Sequence, residues 1–180
     1  MRVPRPSIVL LALLLASVAS TAAAQYRGRD RGPRDRFPRL EVLGGVSHYD
    51  IDRTDTGPVA ALRLALPSGR YFVFEPGIGL LRFENRFDEG ITYLMPELSV
   101  QVEPIKGPFR PYVGVGAGLT EFLSGRGTNF ATMHAAAGVR ANIGDRFGLR
   151  GDVRARTIDP FRQSTLDLMV GVSWRLGGRD

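Results

Sequence analysis

Few side chains in this 180-residue chain could do chemistry. There is no cysteine, which excludes thiolate nucleophiles, thiolate metal sites and disulfide bridges. His48 and His134 are the only histidines. An acyl-transfer triad would need a serine and a carboxylate held against one of them. Neither histidine has a serine at an H-x-S spacing, and Ser47 falls on the opposite strand face from His48. Two histidines among scattered carboxylates also lack the ligand spacing of a zinc or calcium site. The run GVGAG at 114–118 alternates as a strand does and opens no helix, so it is no phosphate loop. The expectation is a protein that is not an enzyme and holds no cofactor.

The chemistry that remains is ion pairing. Glu41, Glu75, Glu97, Glu103, Asp152 and Asp167 fall on the same alternating face as Arg63, Arg140, Arg150, Arg154, Arg156 and Arg175, six of each sign. Charges held away from bulk water need partners, and the planar guanidinium fork can bridge carboxylates. The expectation is a structural network of these twelve residues.

The elements that carry them read as strands. From Arg39 onward, segments of alternating character run over 39–49, 58–67, 70–83, 92–104, 109–122, 131–143, 147–158 and 164–176. Tight links at Pro67-Ser68-Gly69, Lys106-Gly107-Pro108 and Gly144-Asp145-Arg146 alternate with mostly longer ones around 50–57, 84–91, 123–130 and 159–163. An all-β, eight-stranded antiparallel up-and-down barrel gives that alternation, and closure removes unpaired edges.

Alternation alone does not say which face is inside. In the sixth segment Met133, Ala135, Ala137, Val139, Ala141 and Ile143 oppose His134, Ala136, Gly138, Arg140 and Asn142. In the eighth, Leu166, Leu168, Val170, Val172, Trp174 and Leu176 form an uninterrupted apolar face. The polar face also carries Gly77, Gly79, Gly114, Gly116 and Gly118. A solvated outer face has no need of glycine, whereas an eight-stranded bore is just wide enough for side chains to fill. The polar, glycine-bearing face is therefore assigned to the lumen, the glycines giving Arg and Glu room, and the apolar face to lipid. Aromatic residues gather at segment ends as interfacial girdles would: Tyr71, Phe72, Phe109, Tyr112, Phe147 and Trp174 beside the tight links, and Tyr49, Phe83, Phe87, Tyr93, Phe122, Phe130 and Phe161 near the longer ones. Phe74 is the main exception.

Ahead of the strands, Arg2 and Arg5 precede an apolar run at 8–18 and small residues at 22–24, the signature of a signal peptide over 1–24. Its removal would lower the formal charge from +6 to +4. Residues 25–38, QYRGRDRGPRDRFP, read as a disordered basic tail, and the barrel as 39–177.

Residues 39–176 resemble the small eight-stranded outer-membrane barrels of Gram-negative bacteria, the OmpA/OmpX-like group. The ending GVSWRL looks like the family's C-terminal assembly signal, with Gly171, Trp174 and Leu176 in the matching places; it departs from the family in ending that motif on Leu176 and continuing to Asp180. The resemblance implies an outer-membrane location, a monomer, termini and tight turns on the periplasmic side, and the barrel-assembly machinery and outer-membrane lipids as partners. The role expected is non-enzymatic: envelope integrity or surface interaction, with a narrow charge-filled lumen. Arg53, Arg82, Arg86, Arg126 and Arg162 near the outer rim could contact lipopolysaccharide phosphates; no nucleic-acid partner is expected. Two rival readings are a lipid-modifying barrel enzyme and a soluble periplasmic carrier of an apolar ligand, as lipocalins are.

Overall fold

Alternating side chains and turn-forming links close the chain on itself. The computed structural model describes residues 37–49, 55–84, 90–105, 107–123, 129–158 and 163–177. Eight strands follow in sequence: β1 (Arg39–Tyr49), β2 (Asp55–Ser68), β3 (Phe72–Glu84), β4 (Gly90–Val102), β5 (Phe109–Phe122), β6 (Phe130–Asn142), β7 (Phe147–Ile158) and β8 (Gln163–Arg175). Each pairs antiparallel with the next, and β8 returns to β1. The described residues form no helix. The signal-peptide segment, residues 25–36 of the basic tail, and Arg53, Arg86, Arg126 and Arg162 lie outside the described residues.

The second strand begins at Asp55, ahead of the expected 58. Pro58 is tolerated because it pairs with Val46 on β1 while the pairing to β3 starts only at Val59, so no donor is needed on that side. Gly69, in the β2–β3 turn, has φ of +72°, a left-handed conformation that favours glycine. At the other turns, the Asn142 N–H donates to the Pro108 carbonyl at 2.9 Å and the Arg175 N–H to that of Arg146 at 2.9 Å. The β1–β8 seam continues past the strands, where the Leu176 N–H donates to the Pro38 carbonyl at 2.7 Å.

The apolar parity faces outward. Val42, Leu62, Leu98, Val113, Val115, Met133, Val153, Leu168, Val170 and Val172 are all exposed, forming a continuous band around the barrel. Among them Val170 is 72% exposed, because its neighbours across β1 and β7 are Gly44 and Gly151. Such an outer surface is costly in water and suits hydrocarbon.

Inside, the bore has two zones. Toward the turn end and along the β6–β8 wall it is charged. Toward the loop end, on the β1–β4 wall, Leu43, Val59, Ala61, Leu81, Phe83 and Met95 pack with Met169 into an apolar cluster. The aromatic girdle is correspondingly one-sided. Phe72, Phe109, Phe147 and Trp174 do project outward at the turn end, with Phe147 and Trp174 in ring contact at 5.3 Å. Tyr112 instead points into the lumen. At the loop end Phe83, Tyr93, Phe122 and Phe130 contact one another in series, with centroid separations of 6.3, 4.8 and 5.9 Å. All four take the inward parity, so proximity to a strand end did not place them on the lipid face.

The glycines of β5 face inward, between the outward Val113, Val115, Ala117 and Leu119. A Cβ on Gly116 would collide with the His134 ring and the Leu98 carbonyl; one on Gly114 would lie 2.8 Å from Gln101 Cγ, and one on Gly118 3.0 Å from Glu97 Cα. Gly77 makes room for Arg63 and Gly138 for Tyr112. The space therefore serves His134, Gln101 and Tyr112 as much as arginine and glutamate. Gly116→Ala is expected to lose about 1–3 kcal/mol by overpacking. Gly44→Ala, whose added Cβ meets nothing within 4 Å on the outer face, is expected to gain about 0.5–1 kcal/mol. Urea unfolding of the two variants in lipid vesicles measures both signs.

Candidate functional site

Closure brings opposite walls of a narrow bore within side-chain reach, and the charged parity occupies it. Arg140 on β6 is the hub. Its Nε donates to Glu41 Oε1 at 2.8 Å, its Nη1 to Glu103 Oε1 at 2.7 Å, and its Nη2 to Glu75 Oε2 at 2.7 Å and Gln101 Oε1 at 2.8 Å. Arg150 on β7 shares these acceptors: it bonds Glu41, reaches Glu75 Oε2 at 2.6 Å, and reaches Asp152 Oδ2 at 2.7 Å. Tyr112 lies beside both, its ring centroid 4.4 Å from the Arg140 guanidinium carbon and 4.8 Å from that of Arg150. Its hydroxyl accepts from Arg150 Nε at 2.8 Å and donates to Asp152. Cation–π contact with both guanidiniums adds to the pairing in a desolvated site.

Further along the axis, Arg63 donates to Asp152 Oδ1 at 3.1 Å and lies 3.4 Å from Glu97 Oε1. Arg154 bonds Glu97 and stands 3.5 Å from Glu75. Arg156 joins Glu97 at 2.9 Å to Asp167 at 3.2 Å, and Ser47 Oγ donates to Asp167 at 2.6 Å. Eleven of the twelve charged residues read from the sequence thus meet in one connected cluster. Arg175 is not among them: it sits half-buried at the turn-end rim, lining a small cleft. Of the three assembly-signal residues, Gly171 packs too close to Val42 and Leu43 of β1 to accept a side chain, while Trp174 and Leu176 face outward.

Sequence reasoning missed several lumen groups. Arg39 and Arg110 are buried on the inward parity beside the arginines already read from the sequence. Parity with Glu41 and Gly114 was the available signal for both. Ser99 was missed for a different reason. Its Oγ lies 2.8 Å from His134 Nε2, reaching from β4 to β6 across β5, and only Gly116 leaves that path open. Glu97 Oε2 stands 3.8 Å from His134 Nδ1. Serine, histidine and carboxylate have the residue types of an acyl-transfer triad. Here Ser99 and His134 are buried in mid-lumen, and Arg154 Nη1 lies 3.2 Å from the same Nε2. His48, by contrast, is exposed near the loop end, its Nδ1 3.0 Å from Thr56 Oγ1.

Solved structures share this architecture. Neisserial surface protein A aligns with a TM-score of 0.62 at 12% identity, over 77% of this chain and 97% of its own. The outer membrane protein OprG from Pseudomonas aeruginosa gives 0.55 at 14% identity, over 79% and 98%. The outer membrane enzyme PagL gives 0.51 at 11% identity, over 75% and 97%. At such identities the likeness is one of fold. Comparison with curated proteins finds no match. The outward apolar band corrects the soluble-carrier alternative, since a lipocalin-like barrel keeps its apolar face inside. The sequence itself matches the model of the outer membrane protein beta-barrel domain over residues 8–174, and the chain belongs to that family of outer-membrane proteins.

Proposed function

We propose that this barrel serves the outer membrane as a closed, non-enzymatic wall element, contributing to envelope integrity or surface interaction. The observation that carries the reading is the reach of Arg140 and Arg150 from β6 and β7 to Glu41 and Glu75 on the far wall. Interlocked side chains of this size occupy a bore that eight strands make only wide enough to fill. Outer-membrane lipids surround the outer band, and the barrel-assembly machinery inserts the chain as a monomer. Exposed Arg82 at the loop end, with Arg53, Arg86, Arg126 and Arg162 of the loops, offers guanidinium donors to lipopolysaccharide phosphates. Single-channel recording in planar bilayers tests the closed lumen. Only brief, small conductances are expected; a large steady current would overturn the reading.

A second reading, a lipid-modifying enzyme, draws on the Ser99–His134–Glu97 alignment. The same geometry supports a structural role instead, because Ser99 is sealed from the bilayer and its histidine shares Nε2 with a guanidinium. His134→Ala is therefore expected to leave lipid A acylation unchanged in cells expressing the protein. Altered acylation on mass spectrometry would promote the enzyme reading.

A further inference from the structure

The outward parity is not evenly filled. Gly44 on β1 and Gly151 on β7 stand directly opposite Val170 of β8, one on each side. Val139 on β6 follows Gly151 on the same row, and Val153 and Leu168 pair on the next outward row toward the loop end. These residues line one groove of about 480 Å³ on the outer face. No polar side chain opens into it: Asp152 borders the groove with its backbone, its carboxylate being turned inward to Tyr112 and Arg150. Toward the turn end the same strands and parity lead to Phe147 and Trp174, four residues beyond Gly151 and Val170. That is about 14 Å of strand, against a hydrocarbon core about 30 Å thick.

Medium and size decide what fills this groove. In hydrocarbon, apolar burial brings no gain over lipid, and van der Waals packing governs instead. A lining with no partner atoms forfeits its dispersion contacts. A second barrel is a poor fit, because 11 residues line the groove, where a stable interface takes about 20–30 a side. A flexible chain matches it better: a cavity of roughly 150 Å³ holds one benzene, so a groove about three times as large suits roughly eighteen carbons. We propose that the groove seats one acyl chain of a phospholipid from the inner leaflet. The short turns mark the turn end as periplasmic, and the outward Phe147–Trp174 pair, in ring contact at 5.3 Å, sets the level of the headgroup there. The described loop-end aromatics Phe83, Tyr93, Phe122 and Phe130 take the inward parity and offer no such anchor. The seat needs only the outward apolar band and does not depend on whether the bore is closed.

The test uses the chain folded in maltoside micelles, with phosphatidylethanolamine as the probe and native mass spectrometry as the readout. One phospholipid per barrel is expected to survive activation that strips the rest. Gly151→Leu, which fills the groove from its floor, is expected to weaken that retention about tenfold or more. Gly44→Leu is expected to act likewise; its added Cβ meets nothing within 4 Å, so it decides if Gly151→Leu does not fold. Ala135→Leu, at an exposed position of β6 outside the groove, should leave retention unchanged. Absence of a retained phospholipid, or equal losses in the Ala135 and Gly151 variants, would overturn the proposal. Lipid A offered in equal amount separates the leaflets: its preferential retention would assign the groove to the outer leaflet and overturn the inner-leaflet source. A dimer that Gly151→Leu dissolves would give the groove to a second copy of the chain and overturn it as well.

Discussion

Val170→Arg is expected to destabilise the folded barrel by about 2–4 kcal/mol, the penalty for a charge on the lipid face at mid-bilayer. Val170 lies near the middle of β8, opposite Gly44 in the middle of β1, and is flanked by Gly151 on the other side. No side chain on either neighbouring position shields it, so a guanidinium placed there would meet hydrocarbon. Ile143→Arg is the control, since Ile143 is as fully exposed but sits in the β6–β7 turn, at the interface, where the cost falls to about 0–1 kcal/mol. Trp174, the single tryptophan, reports both transitions by fluorescence during urea unfolding in vesicles. Equal effects at the two sites would place the outer band in water, and the assignment of faces would fail with it.

That assignment was legible in the sequence because a strand's period of two leaves no freedom. Once Glu41, Glu75, Glu97 and the β5 glycines share a parity, every other residue on that parity goes inside. Strand bounds followed from the turn residues to within three positions, and the closed order from alternating link lengths. What parity does not contain is height and partner. The barrel's register carries Arg39, through Ser99, Gly116, His134 and Thr165, around to Tyr49 on the same strand. The strands are therefore steeply staggered, and residues far apart in sequence arrive at one level. Arg140 meeting Glu41, or Ser99 meeting His134 over a glycine, depends on that stagger.

The apolar cluster was missed on different grounds. Leu43, Val59, Leu81, Met95 and Met169 all sit on the inward parity, in plain view. Treating the parity as uniformly charged hid them. The loop-end aromatics show the converse error: position along the strand suggested a girdle, while parity already placed Phe83 and Phe122 inside. Where the two signals disagree, parity is the stronger, because it is fixed by backbone geometry and girdle placement is only a preference.

Glu75→Leu is expected to carry the largest cost, about 3–5 kcal/mol, because it breaks a buried ionic site from one side only. Glu75 accepts from Arg140 and Arg150 and lies within 3.8 Å of Arg63 and 3.5 Å of Arg154. Without it, four buried guanidiniums share the remaining acidic groups. Removing one arginine as well should relieve part of that imbalance. Glu75→Leu combined with Arg150→Leu is therefore expected to cost less than the sum of the single changes, by about 0.5–3 kcal/mol. Unfolding free energies of the four proteins of this cycle in vesicles supply the comparison. Strict additivity would mean that each ion is solvated independently. Water would then fill the lumen where the structure places interlocked side chains, and the same barrel would be expected to conduct.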